Sequence, residues 1–474
     1  MSSPGSYDFV VVSNRLPVDH VVRPDGSTGW TRSPGGLVTA LEPVMQAHDG
    51  AWVGWVGQAD VEYAPFDNDG IHIVPVPLSE SEVENYYEGF SNDTLWPLYH
   101  DVIAAPSFHR VWWDSYVVAN RRFAAATAGI ASPGATVWVQ DYQLQLVPKL
   151  LRELRPDLTI GFFNHIPFPP YGIYSQLPWR TQIIEGLLGA DVIGFQRTAD
   201  ASNFLRAVRR LTALATKASS VELADRTVVA KHFPISIDAD SFESVARRPE
   251  VIARAKEIRE SLGNPKTIML GVDRLDYTKG IGHRLKAFGE LLAEGRVSVE
   301  DVTLVQVANP SRERVAAYMQ LRDEIELTVG RINGDYGTIS HQAITYQHHG
   351  YPREEMVALY LAADVMLVTA LRDGMNLVAK EYCAARFDED GVLILSEFTG
   401  AWDELKRSLS VNPHDIEGLK DAMLQAIAMP LAERRSRMRS MRKKVHENDV
   451  QKWSAEFLRV LAAQSTSAPG KAAH

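Results

Sequence analysis

The amino-acid sequence predicts an α/β protein with two Rossmann-like, doubly wound domains. Short runs of β-branched and aromatic residues alternate with helical segments along most of the 474 residues, which is typical of parallel sheets connected by helices. The runs form two sets, one in each half, and a chain of this length can bury two full cores. The predicted strands are residues 9–13, 136–139, 159–163 and 192–195, and then 267–272, 303–307, 365–368 and 392–395.

The pattern also predicts where the domains begin and end. We expect the chain to change domain near residues 234–240, before a charged helix over 250–262. The last predicted helix is amphipathic, because Val450, Trp453 and Phe457 share one face with Val460 and Leu461. The predicted organisation is an N-terminal domain over 1–238, a C-terminal domain over 239–449, a final helix over 450–464 and a disordered tail over 465–474.

Composition and charge limit the classes of protein to which this chain can belong. Apolar residues make up 45% of the chain and charged residues 23%, as in soluble globular proteins. The net charge of −10 argues against nucleic acid as a partner. The single cysteine, Cys383, excludes an intrachain disulfide and fits a reducing compartment. Because there is no long apolar stretch and no signal-peptide pattern, we expect a cytoplasmic protein without a membrane partner.

The segment 371–381 predicts an anion site. It follows an apolar run, and Asp373 with Gly374 makes a tight turn before Asn376, which can cap the next helix. Free backbone N–H groups and the helix dipole then face the ligand. Glu381 lies about one turn further along, where a carboxylate can accept hydrogen bonds from ribose hydroxyls. The segment points to a nucleoside diphosphate, and an ordinary strand-to-helix turn with a solvated Glu381 is the alternative.

Charged side chains also follow other predicted strands. Arg274 and Lys279 come just after one strand and can neutralise a leaving diphosphate, whereas a structural network with Asp273 and Asp276 is the alternative. Ligands of open α/β sheets bind at the carboxyl ends of the strands, so the shared position is a stronger signal than any one residue. The strand-end residues are Arg15, Asp141, His165, Arg274 with Lys279, Arg312 and Asp373.

The sequence offers only poor candidates for a metal site. The acidic segments 238–240 and 388–390 resemble the Asp-x-Asp motif of metal-dependent sugar transferases, but we interpret each as a helix cap or a surface loop. The histidine pair 348–349 lacks a convincing third ligand. Because Arg274 and Lys279 can hold a diphosphate without a metal, we expect neither a metal nor another cofactor.

Several motifs occur in order from about residue 9 to about residue 457, over almost the whole chain. They are Ser13-Asn14-Arg15, Gly35-Gly36-Leu37, Tyr86-Tyr87 with Phe90-Ser91-Asn92 and Leu95-Trp96-Pro97, the segments 165–169 and 274–280, Arg331-Ile332-Asn333-Gly334, and the segment 371–381. This set resembles the trehalose-6-phosphate synthases, which are retaining glycosyltransferases of the GT-B type. The resemblance implies two Rossmann-like domains that face each other across a cleft, and a final helix that returns to the N-terminal domain.

The resemblance also implies an activity and the residues that carry it. Glucose would move from UDP-glucose or GDP-glucose to glucose 6-phosphate and give α,α-trehalose 6-phosphate. The N-terminal domain would bind the acceptor and the C-terminal domain the nucleotide sugar. The implied acceptor residues are Arg15, Tyr87, Trp96, Asp141 and Arg312; the implied donor residues are Gly35, Gly36, Arg274, Lys279, Tyr351, Gly374, Met375, Asn376, Leu377, Val378, Ala379, Lys380 and Glu381; and the implied catalytic residues are His165, Arg274, Lys279 and Asp373.

The family's front-face mechanism suits this sequence. A retaining glycosidase needs a carboxylate nucleophile beside the anomeric carbon, and no Asp or Glu pair here is an obvious candidate. In the front-face route the leaving phosphate takes the acceptor's proton, and the protein supplies positioning and charge stabilisation. We also expect a homo-oligomer, either a dimer or a tetramer.

The sequence departs from the family pattern in a few places. Gln140 and Gln143 stand where many members have histidines, Asn164 replaces a common leucine, and Ala370 replaces a common proline. The segment 346–352 also differs. Because that segment lies near the expected base site, uridine and guanosine remain alternatives for the donor.

Three other functions are compatible with parts of this pattern. A sister transferase would use glycerol 3-phosphate as its acceptor, but Tyr87, Trp96 and Asp141 favour a hexose phosphate, since aromatic faces and a carboxylate suit a pyranose ring. A non-catalytic member would only bind sugar phosphates, and the intact Arg274 and Lys279 argue against it. A pseudo-glycosyltransferase that couples cyclitols would have lost the acceptor residues, which are present here.

Overall fold

A computed structural model of the protein describes residues 6–22, 25–33, 38, 41, 44–45 and 50–465. Within these residues the chain forms two compact units. The first unit contains the chain up to Ile235 and again from Val450, and the second contains Ser236–Asp449. Gly35, Gly36 and the predicted tail beyond residue 465 lie outside the described residues.

The first unit is built on a mostly parallel sheet. In the described ranges its strands are β1 (Tyr7–Arg15), β4 (Ala51–Trp55), β5 (Phe66–Asn68), β6 (Ile71–Pro75), β7 (Ala131–Gln140), β8 (Thr159–Phe163), β9 (Val192–Phe195), β10 (Ala215–Thr216), β11 (Ser220–Glu222) and β12 (Thr227–His232), and β2 (Val18–Val22) with β3 (Thr28–Arg32) forms a separate hairpin. The strand order in the sheet is β10-β11-β12-β9-β8-β7-β1-β4-β6-β5. The run from β12 to β6 is parallel, and antiparallel pairs lie at both edges.

Helices connect these strands and cover the sheet. They are α1 (Glu80–Glu82), α2 (Val83–Leu95, with wider π-type turns), α3 (Trp96–Tyr99), α4 (Arg110–Ile130), α5 (Val147–Leu154), α6 (Tyr171–Tyr174), α7 (Arg180–Leu187) and α8 (Thr198–Leu211). Because the sheet is covered, its central strands are buried on both faces and are made of continuous apolar runs such as Phe9 to Val12.

The second unit contains an entirely parallel sheet over the part of the chain that the structure describes. Its strands are β13 (Thr267–Arg274), β14 (Val302–Asn309), β15 (Ile344–Gln347), β16 (Val365–Val368), β17 (Val392–Ser396) and β18 (Leu409–Val411), in the order β15-β14-β13-β16-β17-β18. Its helices are α9 (Ala239–Ala246), α10 (Pro249–Ser261), α11 (Ile281–Ala293), α12 (Ala316–Tyr336), α13 (Arg353–Ala362), α14 (Leu377–Ala385), α15 (Ala401–Glu404), α16 (Ile416–Ala428) and α17 (Leu431–Glu447).

The last helix, α18 (Val450–Ser465), packs on the sheet of the first unit. Trp453, Phe457 and Leu461 are buried, whereas Val460 is only partly buried. A Cβ atom at Gly161 in β8 would lie 2.8 Å from the Phe457 ring. The lack of a side chain at that position therefore lets the helix approach the sheet closely. Of the helices in the described ranges, none is both long and apolar enough to cross a membrane.

The predicted α/β class is confirmed, and each of the eight predicted strands is present. Ten further strands of the described ranges were not predicted, among them the fully buried β4. The shortest of them, β5, β10 and β11, have three residues or fewer, and their burial patterns are mixed. Strands this short take their structure from pairing with a neighbour and carry little local signal.

Candidate functional site

Both sheets reverse their strand order at one point. In the first sheet the chain proceeds from β1 to β4 on one side and restarts with β7 on the other side. In the second sheet it proceeds from β13 to β14 and restarts with β16. At such a point the connections leave the strand ends toward opposite faces, and a crevice opens at the carboxyl ends. Arg15 ends β1 and Asp141 follows β7, whereas Arg274 ends β13 and Asp373 follows the end of β16.

A cavity of about 390 Å³ lies at the reversal point of the first sheet. Its lining includes Arg15, Tyr87 and Asp141, three of the predicted acceptor residues, and also Gln140. Trp96 is not among the lining residues and is buried, with its ring 5.6 Å from that of Tyr142. The cavity thus combines a cation, an aromatic ring and a carboxylate in a volume that fits a phosphorylated sugar.

Arg15 is held in the cavity by neighbours that the sequence reasoning missed. Its Nη2 donates to Oδ1 of Asp19 at 2.7 Å, and its guanidinium carbon lies 5.4 Å from the centre of the Trp55 ring. Trp55 in turn lies 5.7 Å from the Tyr87 ring. Gly57 has φ +88°, and a Cβ there would lie 2.1 Å from the guanidinium carbon. This glycine therefore clears the space that Arg15 occupies.

Asp141 has an unusual backbone conformation, with φ 73° and ψ 171°. Few residues other than glycine adopt this region. Hydrogen bonds hold it in place: its N–H donates to the carbonyl of Phe163 at 2.7 Å, its carbonyl accepts from the N–H of Leu144 at 3.1 Å, and its Oδ1 accepts from the N–H groups of Tyr142 at 3.0 Å and His165 at 3.1 Å. The carboxylate therefore links the ends of β7 and β8.

His165 is neutral in this environment. Burial lowers the pKa of its imidazole to about 3. The Nε2 atom lies 2.9 Å from Oε1 of Gln140, and the ring packs 4.6 Å from that of Phe163. The ring is thus fixed at the end of β8, beside the cavity-lining residue Gln140.

In the second unit, Lys279 and Asp373 form an ion pair. The Nζ of Lys279 lies 2.6 Å from Oδ2 of Asp373, and their side chains are 10% and 14% exposed. Gly280 follows with φ +64°, where an added Cβ would lie 2.1 Å from the carbonyl oxygen of Thr369. The chain can therefore turn at Gly280 and bring the end of β13 against the end of β16.

The helix start predicted at Asn376 is confirmed. Asn376 has φ 80°, its Oδ1 accepts from the N–H of Ala379 at 3.2 Å, and its Nδ2 donates to Oδ2 of Asp373 at 3.2 Å. Glu381 is one turn further along, where its Oε2 accepts from the Tyr360 hydroxyl at 2.8 Å and burial raises its pKa. These contacts orient Asp373 and Glu381 at the N-terminal turns of α14, where the helix dipole favours an anion.

Other residues of the segment 371–381 are closely packed inside the second unit. Met375 is buried, and the ammonium group of Lys380 is buried against Glu404 at 2.7 Å. Gly374 is closely approached by Gly400, because a Cβ at Gly400 would lie 2.0 Å from its carbonyl oxygen. Tyr351 lies apart from them in sequence, just before α13, with its ring 4.5 Å from that of His349.

Both aspartates near Arg274 are part of a structural ion network, as the alternative reading of that segment anticipated. Asp276 is fully buried, with Oδ2 3.2 Å from Arg312 and 3.8 Å from Arg274. Burial opposes its ionisation, but the nearby cations outweigh that effect and lower its pKa. Asp273 pairs with the buried Arg284 at 2.8 Å. Arg274 itself is 44% exposed, so it belongs to the network and also reaches solvent.

Arg284 is a further residue that the sequence did not indicate. It is fully buried, its Nε donates to Oγ1 of Thr369 at 2.8 Å, and its Nη2 donates to the carbonyl of Lys279 at 3.0 Å. It therefore ties the segment that carries Lys279 to the end of β16. The sequence around Arg284 did not predict this contact, because Thr369 is 85 residues away.

The acidic residues of the second unit that were considered for metal binding have structural partners. Asp238 caps α9 by accepting from the N–H of Ser241 at 2.9 Å, as we expected. The acidic segment 388–390 pairs with arginines. Glu290, Glu294 and Glu417 form the one carboxylate cluster in the described residues that is close enough to hold a cation, and Lys420 already lies 2.6–3.2 Å from all three.

Comparison with known proteins identifies the family. The model of glycosyltransferase family 20 matches residues 7–463. The chain is 58% identical to the trehalose-6-phosphate synthase of Mycobacterium avium (strain 104), over 97% of the chain and 96% of that protein. Its structure is similar to that of an α,α-trehalose-phosphate synthase (UDP-forming) from Burkholderia vietnamiensis, with a TM-score of 0.89 and 32% identity over 99% of this chain and 100% of that one.

A second similar structure is that of an α,α-trehalose-phosphate synthase (UDP-forming) from Burkholderia xenovorans in complex with glucose-6-phosphate. Its TM-score is 0.88, with 33% identity over 96% of this chain and 99% of that one. These similarities confirm the predicted GT-B fold with two Rossmann-like domains. The chain belongs to glycosyltransferase family 20.

Proposed function

We propose that the protein is a retaining hexosyltransferase that moves glucose from UDP-glucose to glucose 6-phosphate and makes α,α-trehalose 6-phosphate. The observation that carries this proposal is the cavity at the end of β1 and β7, where Arg15, Tyr87 and Asp141 lie together. The similar proteins support it, since relatives at 56–58% identity are trehalose-6-phosphate synthases and one solved neighbour binds glucose-6-phosphate.

In this proposal the first unit binds the acceptor. The Arg15 guanidinium takes the phosphate through charge-assisted hydrogen bonds, in exchange for its partly exposed partner Asp19. The Tyr87 ring provides aromatic surface for the sugar, and the Asp141 carboxylate accepts from a hydroxyl. Trp96 is the other aromatic residue proposed for the acceptor, and it is buried outside the cavity lining. Arg312 is the second proposed phosphate ligand.

The second unit binds the nucleotide sugar. Arg274 and Lys279 neutralise the diphosphate, and the backbone N–H groups at the start of α14 add the field of the helix N-terminus. Asp373 holds the hydroxyls of the donor glucose. Glu381 takes the ribose hydroxyls, and the backbone at Tyr351 meets the base. The UDP-forming description of the solved neighbours favours uridine over guanosine.

The transfer needs no protein nucleophile. The bond between the anomeric carbon and the leaving phosphate oxygen breaks, and the anomeric hydroxyl oxygen of glucose 6-phosphate bonds to that carbon on the same face. The hydroxyl proton passes to an oxygen of the leaving diphosphate, so UDP leaves and the configuration is retained. The protein contributes the positions of both substrates and the cations that stabilise the leaving group.

One experiment tests this function. The protein is incubated with UDP-glucose or GDP-glucose and with glucose 6-phosphate, glycerol 3-phosphate or unphosphorylated glucose, and the product is identified by NMR and mass spectrometry. We expect α,α-trehalose 6-phosphate and UDP from the first pair. Preferential transfer to glycerol 3-phosphate, or binding without turnover, would overturn the proposal.

The proposed setting is the cytoplasm, because the single cysteine, Cys383, is a buried free thiol whose pKa burial raises to about 12. We also propose a homo-oligomer, which sedimentation of the purified protein tests directly.

A further inference from the structure

Gln140 is the last residue of β7 and is fully buried at the edge of the acceptor cavity. Its Oε1 lies 2.9 Å from Nε2 of His165. Its Nε2 has no hydrogen-bond partner among the residues that the structure describes. Buried amide groups are nearly always hydrogen-bonded, so an orphaned donor beside a cavity indicates a partner that enters with a ligand.

The oxygen of Gln140 determines the state of the histidine. A carbonyl oxygen carries no hydrogen, so Nε2 of His165 must be the donor of this hydrogen bond. Because burial keeps the ring neutral, its single hydrogen is then on Nε2 and Nδ1 carries a lone pair. Without Gln140, either nitrogen of the neutral ring can carry the hydrogen.

The nitrogen of Gln140 completes the chemistry of the cavity. Among the polar side chains of the lining, Asp141 can only accept hydrogen bonds, whereas Arg15, Asn14 and Gln143 also carry N–H donors. A sugar hydroxyl both donates and accepts, so a hydroxyl that donates to Asp141 still needs an N–H donor for its lone pairs. Gln140 is next to Asp141 in the sequence, and its Nε2 carries N–H groups without an acceptor among the described residues.

We propose that Gln140 is a positioning residue that couples the acceptor cavity to His165: its Oε1 holds His165 in the Nε2–H tautomer, and its Nε2 donates to a hydroxyl of the bound sugar phosphate. The second half rests on the proposed function, because it takes the cavity as a sugar-phosphate site. The first half does not depend on which sugar is bound.

Three variants separate the two halves. Gln140→Met has a similar volume and removes both groups, whereas Gln140→Glu keeps an oxygen for His165 and removes the N–H donor. The control is Gln145→Met. Gln145 is equally buried, accepts from the Tyr99 hydroxyl at 2.8 Å, donates to the Tyr142 carbonyl at 3.1 Å and does not line the cavity.

The first measurement is the ¹⁵N NMR spectrum of the full-length protein labelled at histidine, with the His165 signals assigned by their loss in His165→Asn. We expect the wild type and Gln145→Met to show one neutral tautomer with the hydrogen on Nε2. Gln140→Glu should also keep a hydrogen on Nε2, with Nδ1 protonated as well to the extent that the new carboxylate stabilises the imidazolium. Gln140→Met should show a mixture or the other tautomer. Should Gln140→Met fail to fold, Gln140→Asn withdraws the oxygen by one carbon and serves in its place.

The second measurement compares kcat/KM for glucose 6-phosphate with that for a set of its monodeoxy analogues. For one analogue we expect a loss of about 10²-fold in the wild type and in Gln145→Met, because the missing hydroxyl forfeits one hydrogen bond to the Asp141 carboxylate and one from Gln140. In Gln140→Met and Gln140→Glu that loss should shrink to about tenfold, since the Gln140 donor is already gone and only the contact with Asp141 remains. A merely structural role would lower stability but leave this loss unchanged.

The two measurements test the two proposed roles of Gln140 separately. Unchanged His165 signals in Gln140→Met overturn the tautomer role, and unchanged discrimination among the deoxy analogues in both Gln140 variants overturns the hydroxyl role. If the protein transfers glucose to no sugar phosphate at all, the proposed function fails, and the NMR spectra still test Gln140.

Discussion

Asp141 can be replaced by alanine and by glycine to separate its backbone strain from its role in binding. Both variants lose the carboxylate and the two hydrogen bonds that it accepts from Tyr142 and His165. They differ in the cost of φ 73° and ψ 171°, a conformation that is open to glycine and strained for alanine. Any difference in stability between them therefore measures the strain at this position.

The expected magnitude follows from two opposing terms. A residue held in this region costs about 1–3 kcal/mol, and glycine loses about 0.5–1 kcal/mol more chain entropy than alanine on folding. Asp141→Gly should thus be more stable than Asp141→Ala by about 0.5–2 kcal/mol. At about 2–4 °C per kcal/mol for a unit of this size, the midpoint of thermal unfolding should differ by about 1–8 °C.

Tryptophan fluorescence is a suitable probe for this experiment. Nine of the ten tryptophans lie in the first unit, with Trp402 as the exception, so the signal reports mainly on the unit that contains Asp141. In parallel, both variants should lose use of glucose 6-phosphate to the same extent. Equal midpoints would refute the strain, and a fully active Asp141→Gly would refute the role of the carboxylate.

Other substitutions test the charges of the two sites. Arg274→Ala and Lys279→Ala should each lower kcat by about 10²–10³ because one preorganised charge at the leaving diphosphate is lost, and steady-state kinetics checks this against the exposed control Arg439→Ala. Arg15→Ala should weaken glucose 6-phosphate binding by about 2–5 kcal/mol and change the use of unphosphorylated glucose little, as competition assays would reveal. Turnover should persist after metal is stripped with EDTA, and its complete loss with recovery on adding Mg²⁺ or Mn²⁺ would contradict the proposed role of the cations. The His165 side chain is neutral in the folded protein, with a pKa of about 3, and takes up a proton near pH 6.5 in the unfolded chain. The free energy of unfolding of the wild type should therefore fall by about 2 kcal/mol more than that of His165→Asn between pH 7 and pH 5. Urea unfolding at both pH values measures this difference.

Residues at strand ends could be predicted from the sequence because a buried parallel strand has a local signature. An apolar run such as 365–368 marks the strand, and the first polar residues after it then lie at the carboxyl edge of the sheet. This reasoning placed Arg15, Asp141 and Lys279 correctly at strand ends. It needed no knowledge of which strands are neighbours.

The supporting contacts could not be predicted in the same way. Gln140 and His165 are 25 residues apart, and Lys279 and Asp373 are 94 apart. Such pairs depend on which strands lie side by side, and that order is a property of the whole sheet. The positive φ of Asp141 was also hidden, because aspartate adopts it only when surrounding hydrogen bonds impose it.

The reversal of strand order explains why chemistry gathers at two places in this chain. Each sheet has one pair of adjacent parallel strands whose connections leave in opposite directions, β1 with β7 and β13 with β16. Such a point opens a crevice at the carboxyl ends of the strands, so the fold favours a place for a ligand but not which ligand. The crevice at β1 and β7 holds one arginine with a partly exposed acidic partner, which suits a single phosphate. The crevice at β13 and β16 combines a buried lysine, a nearby arginine and a helix N-terminus, which suits the greater charge of a diphosphate. The proposed division between acceptor and donor sites therefore rests on these side chains, and exchanging the charges would test it more directly than any comparison of folds.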